Sequence, residues 1–205
     1  MLSENRRTFT LGVTGGIGSG KTSVCRVFNV LGIPVFSADI RAKEIMNSDE
    51  RIIKAVNTIA GRDLYKTGTL DRSGLAEMIF NNKSALEKIN SLIHPLVLDH
   101  FEKWREEQTS AYVIMEAAIL FETGAARLCD RSLTVIAPVD ERISRVIVRN
   151  RLSRADVMAR IRNQMDDISR IKLCDYVISN SENDMIIPAV LEIHAEILDI
   201  INTID

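Results

Sequence analysis

The stretch Gly15-Gly16-Ile17-Gly18-Ser19-Gly20-Lys21-Thr22 decides the fold of this chain. It matches the phosphate-binding pattern G-x-x-x-x-G-K-[ST] at every position. The apolar, β-branched residues 9–14 precede it and predict a buried strand, and apolar residues at helical spacing follow from Lys21 to Leu31. Because this pattern binds phosphate only between a strand and a helix, the flanking segments support a phosphate-binding loop, called the P-loop below.

Each residue type in the P-loop has a chemical reason. The glycines let the loop, including Ile17 and Ser19, turn its backbone N–H groups toward phosphate oxygens, and the helix that starts near Gly20 adds its positive end. Lys21 is placed to reach the β- and γ-phosphates, and the Thr22 hydroxyl is placed to bind Mg²⁺. The dinucleotide pattern G-x-G-x-x-G does not fit, because its last glycine falls on Ser23.

The rest of the chain predicts an α/β fold. Short apolar runs at 33–36, 112–115, 133–136 and 176–179 indicate strands of a sheet covered on both faces, and residues 188–201 form an amphipathic helix. Residues 39–105 contain helical spacing and no convincing strand. We therefore expect a P-loop NTPase-like parallel sheet covered by helices, with a helical substrate-binding insertion and an Arg-rich lid.

Composition narrows the class of protein. The 205 residues carry a net charge of −2, which disfavours a chain-wide nucleic-acid or membrane-surface binder. The longest apolar stretch, 111–121, is too short to cross a bilayer. Cys25, Cys129 and Cys174 are too far apart for a Cys-rich zinc site and suit a reducing cytosol, so we expect a cytoplasmic protein.

Charge is concentrated in residues 142–172, where nine basic residues face three acidic ones.

A P-loop fixes the ligand class but not the reaction. The absence of an N-K-x-D motif disfavours a GTPase, whereas a helical insertion with an Arg-rich segment is typical of a kinase that closes over its phosphates. The alternatives are a nucleoside or nucleotide monophosphate kinase, a non-catalytic nucleotide-gated binding module and a nucleic-acid protein that uses the basic segment.

Several ordered segments resemble the dephospho-coenzyme A kinase family over roughly residues 9–184. The P-loop alone does not select this family, but the set does. One departure concerns Glu116, which stands where the family usually has Asp, followed by Ala117 and Ala118 without the usual Pro. The segments that carry the resemblance are residues 11–22, 37–39, 68–72, 93–95, 119–122, 160–165 and 175–180.

The resemblance implies transfer of the γ-phosphoryl group of ATP, with Mg²⁺, to the ribose 3′-hydroxyl of dephospho-CoA. It also implies three parts: a nucleotide-binding core (1–38, 107–141 and 173–205), a helical CoA-binding part (39–106) and a lid (142–172). We expect ATP and dephospho-CoA as small-molecule partners, no nucleic acid or membrane partner, and a monomer or weak homo-oligomer.

Asp39 and Arg149 are the catalytic candidates beside Lys21. Asp39 follows the second predicted strand, and its position alone leaves open a general base or an N-cap of the next helix. The resemblance makes it the base on the ribose hydroxyl. Arg149 stands at the entry to the lid and is placed to stabilise charge on the transferred group. Its rivals for that task are Arg145, Arg151, Arg154 and Arg160.

Three further residues have a functional and a structural interpretation. His94, before Pro95 at an expected helix break, either contacts the substrate or packs at that turn. Arg72 either meets a phosphate of the acceptor or pairs with Asp71 or Glu77 on a helix surface. Asn180, just after the last strand, either contacts the adenine of ATP or forms a turn.

Overall fold

The computed structural model describes residues 7–80 and 82–204, and within them it forms a five-stranded sheet in the order β2-β3-β1-β4-β5. Every neighbouring pair of strands is parallel. The predicted α/β class is confirmed. The strands are β1 (Phe9–Thr14), β2 (Val35–Ser37), β3 (Tyr112–Glu116), β4 (Arg131–Ile136) and β5 (Tyr176–Ser179).

The helices account for most of the remaining described chain. A short 3₁₀ helix, Ala125–Leu128, lies between β3 and β4. The α-helices are α1 (Lys21–Val30), α2 (Ala38–Ser48), α3 (Glu50–Ala60), α4 (Arg72–Phe80), α5 (Lys83–Glu106), α6 (Val139–Asn150), α7 (Arg154–Arg162), α8 (Asp167–Leu173) and α9 (Ile186–Ile204).

The described chain separates into two compact units, of which the first comprises residues 7–37 and 104–204. Its sheet is buried because helices cover it, as continuous apolar strands require. α1 and α9 pack against each other and against β1, β3, β4 and β5 through a core that includes Phe28 and Ile197. Tyr112 Oη lies 2.7 Å from Nδ1 of His194, which joins β3 to α9. This unit carries the P-loop.

The second unit comprises Ala38–Lys103, of which the structure describes all residues except Asn81. It contains α2, α3, α4 and most of α5. Asp49 caps α3, because its carboxylate accepts from the backbone N–H groups of Arg51 and Ile52. Tyr65 Oη donates to the Met46 carbonyl at 2.8 Å and ties the following loop to α2. The helical character expected for residues 39–105 is therefore present.

Two expectations on element boundaries are wrong. The predicted break at Pro95 is absent, since α5 runs through that residue. Pro95 removes one helical hydrogen bond, but the buried Ile89, Ile93 and Val97 hold both sides of the helix in one apolar stripe. β2 also starts at Val35 instead of Ile33. Among the described residues, no helix combines the length and apolar character that a membrane span requires.

Candidate active site

The P-loop connects β1 to α1, as its sequence pattern requires. Gly20 is the N-cap of α1 and has φ 99°, a left-handed conformation that residues with a Cβ rarely adopt. Lys21 follows in the first turn, and its Nζ donates to the Gly15 carbonyl at 2.8 Å across the loop. The positive end of the α1 dipole and the Lys21 ammonium therefore lie at the same loop, an arrangement suited to a polyphosphate.

Asn180 touches the P-loop from the end of β5. Its Nδ2 donates to the Ser19 carbonyl at 2.7 Å, and a Cβ on Gly20 would collide with this amide. Gly20 is thus required both for its φ and for the close approach of Asn180. The structure gives Asn180 a contact with the loop itself, and its predicted contact with adenine stays a prediction.

Ile17 is held through both of its backbone polar groups. Its N–H donates to Oε1 of Gln164 at 2.8 Å, and its carbonyl accepts from Nε of Arg142 at 2.9 Å. Gln164 lies between α7 and α8, and Arg142 lies on α6. The first half of the P-loop is therefore fixed by the Arg-rich segment as well as by the sheet.

Two arginines of that segment are buried rather than exposed. Arg142 and Arg170 are 3% and 1% exposed and share the carboxylate of Asp167, with N–O distances of 2.9 Å and 2.7 Å. Arg170 also donates to the Met165 carbonyl. Burial lowers the pKa of Arg142, the charge of Arg170 lowers it further, and Asp167 opposes both effects. Neither arginine is among the five lid candidates named from the sequence, and both belong to a buried network around Asp167.

A fixed carboxylate stands at the same sheet edge as the P-loop. Glu116 ends β3, pairs in register with Val13 and Ser37, and accepts a hydrogen bond from the Ser37 hydroxyl at 2.7 Å. Burial and, to a smaller extent, the charge of Glu116 raise the pKa of Cys25 to about 12 against the opposing charge of Lys21. Cys25 on α1 is therefore a neutral thiol, and both charged groups act on it.

The oxygen groups at this edge suit a hard divalent cation. Thr22 is exposed in the first turn of α1, and Glu116 is half-buried and oriented by Ser37. Within residues 7–80 and 82–204, no group of three or more His, Cys, Asp or Glu side chains could hold a metal ion. Mg²⁺ fits such a site because it typically takes one or two protein oxygens and completes its shell with water and substrate phosphates.

The remaining lid candidates differ in their partners. Arg145 pairs with Glu141 at 2.9 Å and Arg154 with Asp140 at 2.6 Å. Arg149 is exposed near the end of α6, where its Nε donates to the neutral side chain of Asn150 at 2.9 Å. In the described part of the chain, no carboxylate neutralises Arg149.

Three predicted site residues belong to the second unit. Asp39 is half-buried in the first turn of α2, which starts one residue earlier, so it is not an N-cap. Arg72 is exposed at the start of α4. His94 is half-buried inside α5, and burial lowers its pKa. Their roles toward a substrate stay predictions.

Four residues that shape this site were not predicted from the sequence: Arg142, Gln164, Asp167 and Ser37. Gln164 and Arg142 contact Ile17 from 147 and 125 positions away, which no local pattern reveals. One signal was available for Arg142. The P-loop pattern accepts any residue where this chain has Gly16. A glycine that is not needed for its backbone conformation indicates that another group approaches the backbone closely.

Residues 9–185 match the family model described as dephospho-CoA kinase. A dephospho-CoA kinase from Porphyromonas gingivalis is 38% identical over 185 residues, covering 90% of this chain and 92% of the relative. One from Bacteroides fragilis is 35% identical over 186 residues, covering 90% and 91%.

Two solved structures share the fold. A crystal structure from Thermus thermophilus has a TM-score of 0.82 at 30% identity and covers 93% of this chain and 98% of its own. A dephospho-CoA kinase from Campylobacter jejuni has a TM-score of 0.67 at 26% identity, covering 93% and 97%. The likeness therefore extends well beyond the P-loop, over nearly the whole described chain.

Proposed function

The chain belongs to the dephospho-CoA kinase family, and on that premise we propose how its own residues phosphorylate dephospho-CoA. It is a kinase that transfers a phosphoryl group from ATP and catalyses the last step of coenzyme A biosynthesis. The observation that carries this conclusion is the family match over residues 9–185, which contains a complete P-loop between β1 and α1.

The donor binds at the P-loop. Backbone N–H groups of the P-loop hold the phosphate oxygens of ATP, apart from those of Ile17 and Ser19, which already donate to Gln164 and to the Gly16 carbonyl. Lys21 exchanges its bond with the Gly15 carbonyl for the β- and γ-phosphates. Asn180 fixes the Ser19–Gly20 turn from the end of β5 and is the candidate for contact with the adenine. These contacts place the γ-phosphorus for in-line attack.

Thr22 and Glu116 would hold Mg²⁺, the first directly and the second with its carboxylate oriented by Ser37. When bound, the ion neutralises charge between the β- and γ-phosphates. Glu116 is one methylene longer than the Asp usual in the family. Its hydrogen bond to Ser37 restricts that extra reach.

Asp39 orients the ribose 3′-hydroxyl and accepts its proton as the new O–P bond forms. The O–P bond to ADP breaks in the same displacement, so the β-phosphate of ADP leaves with the negative charge. Arg149, which no described carboxylate neutralises, stabilises charge on the transferred group. Arg72 and His94 serve the acceptor in the helical part, residues 39–106.

The partners of the protein are then small molecules, ATP and dephospho-CoA, in the reducing cytosol that its three free thiols suit. Burial raises the pKa of Cys129 to about 12 and that of Cys174 to about 11. Both thiols are therefore protonated at neutral pH, which leaves them weak nucleophiles.

ADP formation from Mg²⁺-ATP tests this function, measured without acceptor and with dephospho-CoA, adenosine or AMP. We expect stimulation by dephospho-CoA and background rates with the other two. Stimulation by AMP or adenosine would instead favour a nucleotide or nucleoside kinase. Tight ATP binding with no acceptor effect would favour a nucleotide-gated binding module.

A further inference from the structure

The P-loop has a glycine at position 16 that its backbone does not explain. Gly15, Gly18 and Gly20 have φ between 79° and 148°, where residues with a Cβ are strained. Gly16 lies outside this region, so an alanine there could adopt the same backbone. The reason for this glycine must lie in the space around it.

That space is filled by Arg142. A Cβ on Gly16 would lie 2.5 Å from Cζ and 3.0 Å from Nη1 of the Arg142 guanidinium, closer than carbon atoms normally pack. The guanidinium ends a flexible side chain, but it is not free to retreat. Its Nε donates to the Ile17 carbonyl and its Nη1 to Asp167, both at 2.9 Å. Making room for a methyl group would therefore break one or both of these bonds.

The same network holds the loop from a second direction. Asp167 also binds Arg170, and Gln164, three residues earlier, accepts from the Ile17 N–H at 2.8 Å. The N–H and the carbonyl of Ile17 are both hydrogen-bonded, so the residue cannot rotate without losing these two part-buried bonds. Two buried guanidinium groups sharing one carboxylate also leave a net positive charge beside the phosphate site, which favours an anion there.

We propose that Arg142 is a positioning residue for phosphoryl transfer, and that residue 16 is glycine to admit its guanidinium. Arg142 holds Gly16, Ile17 and Gly18 in the form that binds the triphosphate of ATP, and through Asp167 it couples that form to residues 164–170. The inference rests on the proposed use of ATP at the P-loop. It assigns no contact with the reacting atoms to Arg142.

A double-mutant cycle of Gly16→Ala and Arg142→Ala tests the proposal. The readouts are the dissociation constant for tripolyphosphate with Mg²⁺, the KM for ATP, the KM for dephospho-CoA and the Tm. We expect Gly16→Ala alone to weaken tripolyphosphate binding and raise the KM for ATP by about tenfold. In the Arg142→Ala background, the same change should alter both by less than about twofold. The KM for dephospho-CoA should stay unchanged in every variant that folds.

Two further variants keep the test decisive. Arg131→Ala, at an exposed arginine that starts β4, is the control and should leave all readouts at wild-type values. Arg142→Lys replaces Arg142→Ala in the cycle if the alanine variant fails to fold, because it keeps the buried charge and removes the atoms that approach Gly16. An equal cost of Gly16→Ala in both backgrounds, or wild-type binding by Gly16→Ala alone, would overturn the proposal.

Failure of the proposed function would look different. A wild-type protein that binds tripolyphosphate but does not phosphorylate dephospho-CoA contradicts the reaction. In that case, the tripolyphosphate cycle still supports or overturns the role of Arg142, since that measurement involves no acceptor.

Discussion

Lys21 is the residue on which the donor site depends most directly. Its ammonium lies in the P-loop, where it donates to Gly15. Lys21→Ala removes the charge that faces the β- and γ-phosphates, and we expect turnover to fall by about 10²-fold or more. Steady-state ADP formation measures this loss. Lys103→Ala, an exposed lysine paired with Asp99, is the matched control and should keep wild-type turnover.

A substitution of Asp39 distinguishes a role in catalysis from a role in the stability of α2. Because α2 begins at Ala38, Asp39 lies in the first turn and only its charge favours the helix. We expect Asp39→Asn to lower kcat by about 10²-fold or more and to leave the Tm and ATP affinity near wild type. Glu50→Gln removes the corresponding charge in the first turn of α3 and should leave kcat unchanged. Equal kcat losses in both variants would contradict the role of Asp39 as base.

Arg149 differs from Arg145 and Arg154 because its side chain donates to the neutral Asn150, whereas theirs pair with carboxylates. An arginine brought to a transferring phosphoryl group contributes about 10³-fold or more to kcat. We therefore expect Arg149→Ala to lower kcat strongly with little change in Tm. A large loss in Arg151→Ala or Arg160→Ala, with Arg149→Ala near wild type, would assign the role elsewhere.

The residues of the P-loop were predictable because each acts within eight consecutive positions. Arg142 and Arg170 were not, because a sequence window shows their charge and not the packing that buries them. Their burial depends on Asp167, which accepts from both. The glycine at position 16 indicates a close neighbour, but only the structure identifies that neighbour as Arg142.

At the scale of elements, the strands were predicted well apart from the start of β2, whereas the continuity of α5 through Pro95 was not predicted. Continuous apolar runs such as Tyr112–Glu116 have few other structures open to them. Pro95 normally ends a helix, but its local cost is about 3 kcal/mol. The buried stripe of α5 outweighs that cost, and a local rule does not include it.

His94 in α5 should make the stability of the protein depend on pH. Burial lowers the pKa of His94 below 6.5, so the folded chain binds fewer protons than the unfolded chain in mildly acidic solution. Stability contributed by the neutral imidazole is present above the unfolded pKa and is lost as the pH falls toward the folded pKa. We expect the urea midpoint of wild type, relative to His94→Gln, to decrease between about pH 7 and pH 5. A difference that is constant with pH would contradict this account, since the carboxylates are common to both proteins.

At the scale of the whole molecule, the two compact units predict that ATP and dephospho-CoA bind mainly to different units. The P-loop lies in the unit of residues 7–37 and 104–204, whereas the helical part assigned to CoA binding coincides with Ala38–Lys103 except near its ends. We expect ATP alone to slow amide hydrogen exchange in residues 11–30 and 139–170. Dephospho-CoA alone should slow exchange within residues 38–103. Protection by dephospho-CoA confined to the first unit would contradict the assignment.

The family assignment is confirmed over residues 9–185, and it came from linked segments rather than from the P-loop. The positions of these segments explain why they identify the family and the P-loop alone does not. Residues 37–39, 93–95 and 175–180 lie on different elements in both units, so their joint order identifies the whole chain. The contacts that Arg142, Gln164 and Asn180 make with the P-loop could not be predicted from the sequence, because each joins residues more than a hundred positions apart.

Identification of the product is the sharpest test that this protein phosphorylates the ribose 3′-hydroxyl of dephospho-CoA. The protein is incubated with Mg²⁺-ATP and dephospho-CoA, and the product is analysed by mass spectrometry for added phosphate and by NMR for its position. We expect one added phosphate, on the ribose 3′-oxygen, in a product indistinguishable from coenzyme A. A phosphate at any other position, or ADP formed without a phosphorylated acceptor, would contradict it.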